Sequence, residues 1–135
     1  MVTFHFSKGL QQLEEALDIL QGSLCAAGFS SKAAYQVILA AEEVYCNIAS
    51  YAYQDGLGLI ELSYQIEVDP LAITIQFKDS GVPFNPLKLE LPDVSQDFEE
   101  RRIGGLGWFL VTENMDEVDY SYVNHSNVLT LKKFA

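Results

Sequence analysis

The chain has 135 residues, 49% of them hydrophobic, enough for one domain (1–135) with a buried core and too many for a disordered chain. A formal net charge of −11 excludes a general nucleic-acid binder, because phosphate backbones are held by Lys and Arg, and leaves a basic protein partner open. No apolar run reaches the length of a membrane span, and Met1-Val2-Thr3-Phe4-His5-Phe6 alternates like a strand instead of forming a basic and then apolar leader, so a cytoplasmic protein is expected.

Val2–Phe6 is the first expected strand. Leu10, Leu13, Leu17, Leu20 and Leu24 recur at three- and four-residue steps, which predicts an amphipathic helix ending near Gly28. Ser30 or Ser31 is placed to cap a second helix. Its apolar stripe is Ala34, Val37, Ile38, Ala41, Tyr45, Ile48 and Ala52, and Asp55-Gly56 breaks it. Ile60, Leu62, Tyr64, Ile66 and Val68 then alternate with polar residues. After Asp69-Pro70, Leu71, Ile73, Ile75 and Phe77 alternate again, so a hairpin with one buried face is expected. From Gly81 to about Ile103 the pattern is irregular, with three prolines and several acids, as in functional loops. Gly107 to Met115 reads as a helix. Val118, Tyr120 and Tyr122 alternate as a strand, and Val128–Lys133 supplies the last one. The sum is a two-layer α+β sandwich: an antiparallel or mixed sheet with helices on one face. Cys25 and Cys46 lack metal-ligand spacing and read as free core thiols.

Three segments bear chemistry. In Glu43-Val44-Tyr45-Cys46-Asn47, Glu43 and Asn47 are four apart, so their side chains lie one above the other, flanking the apolar stripe. An amide oxygen there suits Mg²⁺, and a carboxylate one turn away can accept a proton from a hydroxyl or water. The alternative is a solvated acid and an ordinary polar helix residue. In Asp79-Ser80-Gly81, Asp79 either starts a turn or accepts a hydrogen bond from the exocyclic amine of a purine, with Gly81 letting the chain pass beneath the base. Gly104-Gly105-Leu106-Gly107 precedes Trp108-Phe109-Leu110-Val111. It offers bare N–H groups to an anion at a helix start, or else is a flexible entry to that helix. It is neither the dinucleotide fingerprint nor a P-loop. Arg101 and Arg102, directly before it, are the only paired basic residues outside the C-terminus. His5 and His125 read as surface or satisfied polar residues.

In order and approximate spacing the three segments resemble the N, G1 and G2 boxes of the Bergerat-type (GHKL) ATP-binding superfamily, which holds the gyrase and histidine-kinase ATPases. The likeness is closer to its small single-domain branch, the bacterial anti-sigma-factor serine/threonine kinases. Ala41-Glu42-Glu43-Val44-Tyr45-Cys46-Asn47 with Tyr51-Ala52-Tyr53 is similar to that branch's first box. Asp79-Ser80-Gly81-Val82-Pro83-Phe84-Asn85-Pro86 is similar to its second, and Gly104 through Val111, then Met115-Asp116-Glu117-Val118, to its third.

The resemblance implies ATP and Mg²⁺ as ligands. It implies Glu43 as general base, Asn47 as the metal ligand and Asp79 as the partner of the adenine amine. Gly81 would shape the pocket, and Gly104, Gly105, Leu106 and Gly107 would flank the phosphates. Residues Leu87–Ile103 would form a lid, with Arg101 or Arg102 meeting phosphate. The implied partners are an anti-anti-sigma (STAS-type) protein phosphorylated on serine or threonine, a sigma factor, and a second copy of the chain. Two positions depart from the family: Ser126-Asn127-Val128 stands where Gly-Thr often begins the last strand, and Tyr51 stands where a histidine often follows the first box. The alternative function is an ATP-switched binding module in a partner-switching circuit, without kinase activity.

Overall fold

Leucine spacing, strand alternation and the caps between them produce the following elements in a computed structural model that describes residues 2–7, 10–51, 59–83, 85 and 105–135. In chain order they are β1 (Val2–Ser7), α1 (Leu10–Ala27), α2 (Ser31–Tyr51), β2 (Leu59–Val68) and β3 (Leu71–Asp79), followed by α3 (Gly105–Asn114), β4 (Glu117–Val123) and β5 (Ser126–Phe134). The strands form one antiparallel sheet in the order β1-β2-β3-β5-β4.

The passage from α1 to α2 shows how local sequence sets the layer. Gly28 adopts φ 108°, a left-handed conformation that closes α1. The Gly28 N–H donates to the Cys25 carbonyl (3.2 Å) and the Phe29 N–H to the Leu24 carbonyl (3.1 Å), the paired bonds of a Schellman cap. Phe29 and Leu24 are both buried, which supplies the apolar contact of that motif. One residue later Ser30 caps α2, its Oγ accepting the Ala33 N–H at 3.1 Å.

Ile60, Leu62 and Tyr64 on β2, Ile73, Ile75 and Phe77 on β3, and Leu129 and Leu131 on β5 are buried against Leu13, Leu20 and Leu24 of α1 and the apolar face of α2. α2 packs on both α1 and α3. Its buried face is wider than the expected stripe. Ala33, Ala40 and Val44 join Ala34, Val37, Ala41 and Tyr45, while Ile38 and Ile48 are only half-buried. A helix held between two others needs a broad apolar face, and residues 40 and 44 supply it.

Other boundaries also differ from expectation. α3 starts at Gly105, two residues early, because its first turn accepts glycines whose N–H groups have no intrahelical acceptor in any case. β5 starts at Ser126, because Asn124 (φ 52°) and His125 (φ 62°) make a two-residue turn that lets pairing begin at once. Cys25 is exposed and not a core thiol, since it follows Leu24 round to the solvent side of α1; Cys46 is half-buried. Among the described residues, no helix is long and apolar enough to cross a membrane.

Candidate functional site

Two clusters of polar residues stand on the facing sides of the two layers. The first joins α2 to the start of α3. Glu43 and Asn47 are half-buried at the edge of the α2 core face, whereas Glu42 is exposed. Packing of α3 on α2 brings Gly107 onto the Glu43 carboxylate. A methyl group built on Gly107 would stand 2.9 Å from Glu43 Cδ and closer still to Oε2. A larger residue there would shift the flexible end of Glu43 out of this position. A carboxylate therefore rests against the first turn of a helix, where backbone N–H groups are uncommitted. Among the described residues, no hydrogen-bonding partner meets the Glu43 carboxylate or the Asn47 amide.

Cys46 lies between these two residues on α2. Its thiol is pushed up from the ordinary value of 9.0, first by burial and then by the negative charges of Glu43 and Glu42. A thiol so protected from ionisation is a poor nucleophile at neutral pH.

The second cluster closes the end of the sheet. Asp79 continues the row Ile73, Ile75, Phe77 and so faces the helices; it is 5% exposed. Its Oδ1 accepts the Gly81 N–H at 2.9 Å and the Asn127 Nδ2–H at 2.9 Å. Among the described residues nothing donates to Oδ2, which remains a buried acceptor. The Gly81 bond is the Asx turn expected at this position. It does not exhaust the carboxylate, so turn-former and ligand acceptor are compatible here.

Asn127 is the residue that sequence reasoning missed. In the sequence, Ser126-Asn127-Val128 stands only as a departure from the family's Gly-Thr. In the register of the sheet Asn127 lies directly opposite Asp79, and its amide bonds that acid. Its Nδ2 also meets the Val82 carbonyl (2.9 Å) and the Gly81 carbonyl (3.4 Å), and the Tyr120 hydroxyl donates to its Oδ1. The two-residue turn at 124–125 fixes only the β4–β5 register; the β3–β5 pairing that sets Asn127 against Asp79 has no local sequence signal.

Of the expected site residues, Gly104, Arg101 and Arg102, together with the expected lid, lie outside the described residues. Gly105 and Leu106 are described as the first turn of α3. No cluster of three or more His, Cys, Asp or Glu side chains is found among the described residues. A Mg²⁺ site of one protein ligand completed by phosphates and waters needs none.

The model of the histidine kinase-like ATPase domain matches residues 6–133, and the chain belongs to that family, an ATP-binding one. Serine-protein kinase RsbW of Listeria monocytogenes (serovar 1/2a) is 32% identical over 116 residues, covering 84% of this chain and 74% of its own. RsbW of Bacillus cereus is 27% identical over 107 residues, covering 78% and 67%. Among solved structures, the SiaB–SiaC complex of Pseudomonas aeruginosa matches with a TM-score of 0.67 at 15% identity, over all of this chain and 90% of that one. The histidine kinase domain of the blue-light-activated kinase EL346 of Erythrobacter litoralis matches at 0.54 and 13% identity, over 91% and 59%. At those identities the structures speak for the fold: an α+β sandwich of the GHKL type.

Proposed function

We propose that this protein is a Mg-ATP-dependent serine/threonine protein kinase that phosphorylates an anti-anti-sigma protein of the STAS type and sequesters a sigma factor. The observation that carries the reading is the Glu43 carboxylate resting on Gly107 at the head of α3, an acid beside a helix N-terminus of the kind suited to a phosphate. The kinase names of the RsbW relatives support the reaction. The SiaB–SiaC neighbour, itself a complex of two proteins, supports a protein partner.

The residues divide the work. Asp79 Oδ2, on a buried residue and without a donor among the described residues, fits the N–H of a base amine. Gly81 leaves room at the strand end. The N–H groups of Gly104, Gly105, Leu106 and Gly107, with Arg101 or Arg102, would hold phosphate oxygens against the field of a chain of charge −11. The Asn47 amide oxygen would hold Mg²⁺, whose chemistry when bound is neutralisation of phosphate charge. Glu43 would accept the proton of the partner's hydroxyl, a contribution typically of about 10²–10⁴-fold. A homodimer joined along the sheet is part of the same proposal.

The test uses a purified STAS-type protein as the candidate substrate. It is incubated with the kinase and ATP labelled in the γ-phosphate, and label on a serine or threonine of the partner is expected. Capture of the partner in an ATP-dependent complex that never becomes labelled would replace the kinase with an ATP-switched binding module.

A further inference from the structure

The amide of Asn127 is oriented by its surroundings. Its Nδ2 meets three acceptors: Asp79 Oδ1 and the Val82 carbonyl at 2.9 Å and the Gly81 carbonyl at 3.4 Å. The reverse orientation would press the amide oxygen against a carboxylate and two carbonyls. On the other side the Tyr120 hydroxyl donates to Oδ1 and so satisfies the oxygen in the orientation that the three acceptors set. Asn127 is 7% exposed, so these bonds lie in a medium where a misplaced polar atom is costly.

The consequence falls on Asp79. Two donors, Gly81 N–H and Asn127 Nδ2–H, converge on Oδ1 and resist rotation of the carboxylate. Oδ2 is left as an acceptor of fixed direction. The same amide ties down the carbonyls of residues 81 and 82, the turn that follows the acid. Without Asn127, the Gly81 N–H would be the one donor left on Oδ1 among the described residues, a single bond about which the carboxylate can turn.

We infer that Asn127, oriented by Tyr120, is a positioning residue that fixes which oxygen of Asp79 meets a bound base, and so sets the preference for a 6-amino over a 6-oxo purine. The inference rests on the proposed nucleotide site. An immobile carboxylate oxygen accepts from a 6-amino group and repels a 6-oxo oxygen. A carboxylate free to turn relaxes away from the repulsion and discriminates less.

The test is calorimetric titration with Mg-ATP and Mg-inosine triphosphate of wild type, Asn127→Ala, Tyr120→Phe and the double variant, each also melted without nucleotide. Wild type should prefer ATP by on the order of 100-fold or more, because a buried polar group rejects a ligand that cannot pair with it. Asn127→Ala should reduce that ratio about tenfold and Tyr120→Phe about threefold. The double variant should match Asn127→Ala alone, since Tyr120 acts through Asn127. A lowered melting temperature with an unchanged ratio in Asn127→Ala and in the milder Tyr120→Phe would make the network a structural brace and overturn the inference. Additive losses in the double variant would overturn the role given to Tyr120. Wild type that binds neither nucleotide removes the nucleotide site itself, and this inference with it.

Discussion

Glu43 and Gly107 lie far apart in the chain and touch in the fold, so closely that a side chain on the glycine would displace the carboxylate. Gly107→Ala therefore must push the carboxylate aside. Alanine raises helix propensity, so the loss should not appear as instability. It should appear as about a 100-fold fall in phosphoryl transfer, the scale of a misplacement of about an ångström in a catalytic group. A steady-state assay beside a melting curve separates the two effects, and unchanged turnover would mean that Glu43 works from another position. At this scale the sequence was readable where chemistry is local. The four-residue spacing alone placed Glu43 and Asn47 on one flank of α2, where both are half-buried. It was unreadable where two segments meet: neither the Gly107 contact nor the Asn127–Asp79 bond follows from spacing, since one needs helix packing and the other sheet register.

The α1–α2 connection illustrates what holds an element in place. At Gly28 a Cβ would find Leu71 Cδ2 at 3.8 Å, an ordinary contact, so sterics with neighbours are not the constraint. The constraint is φ 108°, which L-residues adopt at a cost of about 1–2 kcal/mol. Gly28→Ala should lower stability by roughly that amount in denaturant titration. A neutral effect would mean that the Schellman cap contributes nothing net. The existence and type of α1, α2, β2 and β3 were legible because long runs kept one period, 3.6 or 2. The start of α3 and the width of the α2 face were not. Glycines mask a helix start, and Ala40 and Val44 declare themselves core only once α3 is seen to pack beside them.

Across the whole molecule the sheet order carries information that no local pattern holds. β3 lies at the centre and ends in Asp79, while β1 lies at one edge of the described strands. An edge strand of this kind is a template for pairing with another chain. Sedimentation at tens of micromolar, an order of magnitude at which a stable pair persists, should show a dimer. A monomer there would leave β1 as a plain edge. That helices and strands form an antiparallel α+β sandwich was legible from element types. Which strands neighbour which was not, because pairing between β3 and β5 spans some fifty residues of chain.

The central claim is that the acid at the head of α3 removes the proton from the partner's hydroxyl. Glu43→Gln keeps the shape and removes the base, while Glu42, exposed and about 100° round the helix, provides the matched control. The decisive measurement is transfer of γ-label from ATP to the partner by wild type, Glu43→Gln and Glu42→Gln, with Mg-ATP affinity measured for each. Glu43→Gln should bind Mg-ATP and the partner nearly as wild type does and lose about 10²–10⁴-fold in transfer, with Glu42→Gln unaffected. Full transfer by Glu43→Gln would contradict the assignment.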